Sequence, residues 1–122
     1  VNTERTQRSV ASGEWDDKVG LPLDHAESPR LTGRAVVNVA LDETNLRDKS
    51  GTYQVVAELA EEYQFTDIDG RVPPSIRSLR FLIPTYGLDE ETKQKLPPNY
   101  EKWIPDWKLP FWVMAQGQPP QR

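Results

Sequence analysis

SPRLTGRAVVNVALDETNLRDKSGTYQVV, residues 28–56, is the stretch whose reading decides the fold. Ser28 is a good helix cap because its hydroxyl can accept from a free amide of the first turn, and Pro29 suits the first helical position, whose N–H is unpaired anyway. Leu31, Ala35, Val36, Val39 and Ala40 recur at three- and four-residue spacing, and Val37 and Leu41 widen that stripe. This spacing predicts an amphipathic helix that must pack on something apolar. Asn45 to Lys49 adds one helical turn, stopped at Ser50-Gly51, because glycine takes the left-handed conformation of a helix end at little steric cost. Thr52 to Val56, largely β-branched or aromatic, then reads as a buried strand. A single strand makes no sheet, so its partner strands are expected outside this chain.

The composition agrees with an incomplete domain. Of 122 residues, 36% are hydrophobic and 28% charged, with 11 prolines, and the mean hydropathy is −0.71. Apolar residues make up about half of an ordinary globular chain, so little is left here for a private core. A net charge of −4 and a pI near 5.0 argue against a general phosphate-backbone binder, and nucleic acid is not an expected partner. With no cysteine, disulfide scaffolds, thiolate zinc sites and thiol catalysis are excluded together. The chain opens on Val1 and lacks the apolar core of a signal peptide, which reads as a fragment or an incomplete gene product.

Outside the central stretch, Val1 to Ala26 has no sustained period and reads as a long loop with room for a helical turn. A loop of that length suits a substrate lid. Ala57 to Tyr63 predicts a short helix, and Asp67-Ile68-Asp69-Gly70 a turn. Its carboxylates do not make a calcium loop, because the helix–loop–helix pattern would put Phe65 and Ile76 at ligand positions. Ser75 to Leu82 predicts a helix stopped by Pro84, and Leu88 to Leu96 a charged, solvent-facing one. The tail, Tyr100 to Met114, gathers Trp103, Ile104, Trp107, Leu109, Phe111, Trp112, Val113 and Met114 in a short span that Pro105 and Pro110 break. Too charged and broken to span a bilayer, which needs about 20 mostly apolar residues, it is read as an arm packing on protein or as an anchor at a membrane surface.

Catalytic motifs are absent. The glycines, at 13, 20, 33, 51, 70, 87 and 117, form neither a Gly-x-Gly-x-x-Gly turn nor a phosphate loop. His25 is the only histidine, with no nucleophile elbow to serve, and none of Tyr53, Tyr63, Tyr86 and Tyr100 has a lysine four residues on. No catalytic or metal-binding residue is expected in this chain.

Val1-Asn2-Thr3-Glu4, GRAVVNVALD (33–42), the Asn45–Gly51 turn, TYQVV (52–56) and AELAEEYQFTDIDGRVPPSIRSL (57–79) together resemble the C-terminal part of the short-chain dehydrogenase/reductases. Tyr63-Gln64-Phe65-Thr66-Asp67-Ile68-Asp69-Gly70 is similar to a Tyr-Gly-Phe-x-Asp-x-Asp-Gly phrase of that family, with Gln64 in place of the glycine. The likeness covers about Val1 to Arg80. It implies an α/β architecture, the C-terminal part of a doubly wound, Rossmann-like parallel sheet. Residues 1–27 would form the cofactor edge and substrate lid, 28–70 the covering helix, last strand and short helix, and 71–122 a helical, Trp/Pro-rich extension.

The resemblance further implies a parent enzyme that uses NAD(P) on a carbonyl or alcohol substrate. Val1-x-Thr3 matches the end of the family's Pro-Gly-x-Val-x-Thr motif, so Thr3 would contact the nicotinamide carboxamide. Trp15, Leu21 and Leu23 would line the lid. The glycine-rich turn and the catalytic Ser, Tyr and Lys do not occur here, so the chain would not be catalytic alone. Its implied partners are the remainder of the parent fold and a second copy through the covering helix and last strand. A cytoplasmic site or the endoplasmic reticulum membrane is the expected location.

Overall fold

The structure is a computed structural model that describes residues 1–15 and 23–116. The chain divides into two compact units, Val1–Pro73 and Pro74–Arg122.

In the first unit, α1 (Glu4–Ala11) begins at Thr3, whose side chain accepts from the Thr6 amide. Glu4 in the first turn pairs with Arg8 one turn on, at 3.3 Å. This helix lies where the sequence reads as loop; its window is too polar to show an apolar period, but it contains no Gly or Pro to break a helix. Gly13, at φ +77°, follows its end.

The helix predicted from Ser28 is α2 (Pro29–Leu41), with the Ser28 hydroxyl accepting from the Arg30 amide. A single turn, α3 (Leu46–Lys49), precedes Gly51 at φ +74°. α4 (Val56–Tyr63) packs across α2. The core between them is small: Leu31 and Ala35 from α2 meet Ala57, Leu59 and Ala60 from α4.

The expected doubly wound parallel sheet is not the fold of this chain. Among the described residues there is no strand, and the sole bridge is the isolated antiparallel contact of Ser78 with Lys108. Residues 52–55 contain no helix, but Tyr53 is 86% exposed, not buried as a sheet residue would be. An isolated extended segment has no neighbour to take its ladder hydrogen bonds. The helix formers that follow decide the matter: the Glu58 and Leu59 amides both bond to the Val55 carbonyl, which draws Val56 into α4.

In the second unit, residues 75–78 form a turn closed by the Ser78 amide on the Ser75 carbonyl. The helix starts only at α5 (Leu79–Leu82) and widens into a π-helical turn, Ile83–Gly87, that contains Pro84. Pro84 therefore does not stop the chain's coiling. Proline's fixed φ is helical, and near the start of the wider turn its missing N–H need not be satisfied. α6 (Glu90–Lys95) is capped by Asp89, whose carboxylate accepts from the Thr92 amide at 2.9 Å. A 3₁₀ turn, Tyr100–Trp103, leads to an extended strap and then α7 (Phe111–Gln116). Phe81 is the buried apolar anchor, with Ser75 and Ser78 buried nearby in sequence.

Candidate functional site

Thr3 is held by the start of α1. Its hydroxyl oxygen accepts from the Thr6 amide at 3.3 Å and lies 3.1 Å from the Thr6 hydroxyl oxygen. The Thr6 hydroxyl donates to the Val1 carbonyl at 3.1 Å, so between the two hydroxyls Thr3 is the donor. A threonine hydroxyl has one proton and two lone pairs. With the proton on Thr6 and one lone pair on the Thr6 amide, one acceptor position is left, which suits an N–H donor such as a primary carboxamide. The segment before it is anchored by the Asn2 amide on the Glu27 carbonyl at 2.6 Å.

The residues read as lid are only partly placed. Trp15 is half-buried just past Gly13, and Leu23 is half-buried in the 3₁₀ turn Leu23–His25. Leu21 lies outside the described residues. His25 is exposed in the same turn as Leu23.

The polar groups that the first unit does bring together centre on Asp67, which is buried. Its carboxylate accepts from the Ser28 amide at 2.7 Å, from the Ser28 hydroxyl, and from the Ile68 amide at 2.7 Å. Arg34 donates to the Thr66 carbonyl and, at 3.4 Å, to the Asp67 carbonyl. Burial pushes the Asp67 carboxyl up, but the Ser28 and Ile68 bonds and the Arg34 charge outweigh it, and the group lies below the usual carboxylate range. This joins the Asp-Ile-Asp-Gly turn to the start of α2. Nearby in sequence to the cap, burial holds the Glu27 carboxyl above its ordinary range.

A second cluster contains a tyrosine and a lysine. The Tyr63 hydroxyl donates to Asp42 at 2.6 Å, and the Lys49 ammonium lies 5.6 Å from the Tyr63 ring centre. Its chemistry is opposite to that of a proton-transfer tyrosine. The Asp42 bond pushes the Tyr63 phenol up to about 12, whereas an acid–base group works best with a pKa near the operating pH. Lys49 spends its charge on Glu62, at 2.8 and 2.9 Å. The cluster pins α2 and α4 together beyond the core and is structural.

In the second unit, the strap is fixed alongside the Ser75–Leu82 segment. Leu79 donates its amide to the Trp107 carbonyl at 2.9 Å, and Leu109 donates to the Arg77 carbonyl at 2.8 Å. The guanidinium of Arg77 returns a bond to the Leu109 carbonyl at 3.0 Å and lies 4.2 Å from the Phe111 ring centre. Arg80 donates to the Ile104 carbonyl at 2.9 Å. Ser78 donates to Asp106, which also takes Lys108 at 2.9 Å. These two partners hold the Asp106 carboxyl below its ordinary range, the serine bond first. Trp103, Trp107 and Trp112 are left 79%, 68% and 64% exposed. The cluster of aromatics is visible in the sequence, but the pairing that displays them is not, since nothing local in 77–80 marks it as a partner of 104–109.

Among the described residues, no group of three His, Cys, Asp or Glu side chains could hold a metal, and no helix is long and apolar enough to cross a membrane. Comparison with known proteins gives no match to any family model, curated protein or solved structure.

Proposed function

We propose that this chain is the C-terminal segment of an NAD(P)-dependent oxidoreductase acting on carbonyl or alcohol substrates, with no catalysis of its own. The observation that carries this is the second apolar face of α2. Leu31 and Ala35 are buried against α4, while Val36, Val37 and Leu41, with Gly33 and Ala40 between them, stay exposed. A contiguous apolar face of this kind marks a surface meant to be covered. The remainder of a parent enzyme is the cover we assign. The resemblance of residues 1–80 to the short-chain dehydrogenase/reductases supplies the reaction class, and the spare acceptor on Thr3 suits the nicotinamide carboxamide.

The transcript upstream of the Val1 codon tests this directly. A reading frame that continues back through Pro-Gly, a Tyr-x-x-x-Lys and a glycine-rich turn is the expected result. A start codon close to Val1 with none of those motifs overturns the proposal. In the complete enzyme, Thr3→Ala is expected to raise the KM for the cofactor or lower kcat, by about tenfold for one lost hydrogen bond. Unchanged kinetics remove Thr3 from the site.

A second reading, a non-enzymatic interaction module, is favoured by the exposed Trp103, Trp107 and Trp112. The same transcript decides between the two. The location that fits both is the cytoplasm or the surface of the endoplasmic reticulum membrane.

A further inference from the structure

We infer that the aromatic strap of the second unit docks on the headgroup layer of an anionic lipid bilayer. The inference rests on the second reading only in taking the strap as an interaction surface, and it holds for an enzyme segment as well. Trp103, Trp107 and Trp112 are exposed within ten positions, and Phe111 beside them is 41% exposed. An indole has a large apolar body and one N–H donor, which places it at the boundary between headgroups and acyl chains.

The backbone that carries Trp107, the middle of the three indoles, is already ordered, because Leu79, Arg77 and Arg80 fix residues 104–109 through main-chain carbonyls and amides. Displaying side chains from a held backbone lowers the entropy lost on docking. Pro105 and Pro110 keep the segment from forming one inserted helix, so contact is at the surface.

Charge selects the lipid class. Along the strap and the segment bonded to it stand Arg77, Arg80, Lys102 and Lys108, against Glu101 and Asp106. Asp106 and Lys108 pair with each other and cancel, so the excess lies in Arg77, Arg80 and Lys102 against Glu101. In a chain of net charge −4, this is a local excess of cationic residues in the segments that carry the exposed indoles. Such an excess complements phosphatidylserine or phosphatidylinositol headgroups and is not matched to zwitterionic ones.

The test uses the full chain with vesicles of phosphatidylcholine alone or mixed with phosphatidylserine. Expected are co-sedimentation with the mixed vesicles, weakening as salt is raised, and quenching of tryptophan emission by lipids brominated near the headgroup. The triple variant Trp103→Ala, Trp107→Ala, Trp112→Ala is expected to bind on the order of a hundredfold more weakly. The milder Trp107→Phe, which keeps an aromatic ring and loses the indole N–H, is expected to lose less than tenfold. Far-UV circular dichroism of each variant should match that of the parent chain. Val37→Ala with Leu41→Ala, which removes exposed apolar groups elsewhere, should leave binding unchanged.

No binding of the intact chain to either vesicle overturns the lipid partner, as does binding that survives the triple variant. Sedimentation velocity without vesicles separates that failure from failure of the broader reading. Association that depends on the three tryptophans would put protein in place of lipid on the strap, and no difference between the chains would remove the strap as an interaction surface.

Discussion

Asp67 shows how much of this molecule hangs on single side chains. Its carboxylate takes the Ser28 amide and hydroxyl from 39 positions away. Asp67→Asn keeps the volume but turns one acceptor into a donor facing those groups, and should cost about 2 kcal/mol at neutral pH by denaturant unfolding. Because the folded carboxyl lies below its ordinary value of 3.8, the stabilisation is present above that value and is lost as pH falls through the folded pKa. The gap between parent and variant should therefore close in acid; a constant gap would mean the charge is not what Ser28 uses. Tyr63 has the opposite sign. Its phenol is raised to about 12 by Asp42, so its contribution is full below pH 10 and disappears as pH rises towards 12. Tyr63→Phe should abolish that alkaline loss in a thermal-melt series, and an unaltered alkaline limb would show that the bond contributes nothing. Ser28 was legible as a cap because capping is local. Its bond to Asp67 was not, because no periodicity spans that separation.

At the scale of elements, the two faces of α2 respond differently to substitution. Leu31 is fully buried, and Leu31→Ala should cost about 3 kcal/mol, since a core made largely of alanines can collapse little around the cavity. Gly33 sits inside the helix with nothing within 4 Å of where a Cβ would stand. Gly33→Ala should raise stability by about 0.5–1 kcal/mol through backbone entropy. A loss instead would show that the exposed side of α2 is occupied at that point. The helix itself was readable because cap, apolar spacing and stop agree. The expected strand does not form because β-propensity reports a fit to a half-buried pleated surface. Thr52 to Val55 has no such surface to fit, and Val56 is worth more to α4. The helix at Glu4 leaves no apolar signal in the sequence for the converse reason: it forms on capping and an ion pair, with no buried residue to give it a period.

For the whole molecule, sparse apolar content leads to small cores, and small cores leave apolar surface over. Among the described residues each unit has few fully buried side chains, so the free chain is expected to be marginally stable. What the composition could announce was this shortage, while the identity of whatever makes it up lies outside the residues themselves. The exposed face of α2 turns the question into a measurement. Leu41, 75% exposed at the end of that face, can be replaced by lysine. In the free chain Leu41→Lys should shift unfolding by no more than about 0.5 kcal/mol, as for an ordinary surface site. In a parent enzyme that covers the face, the same change buries an unpaired ammonium and should cost about 3 kcal/mol, lowering Tm and soluble yield. A large effect only in the longer protein supports the oxidoreductase segment and places its contact on α2. Equal, small effects in both would mean that nothing covers this face, and the proposal would lose the observation on which it stands.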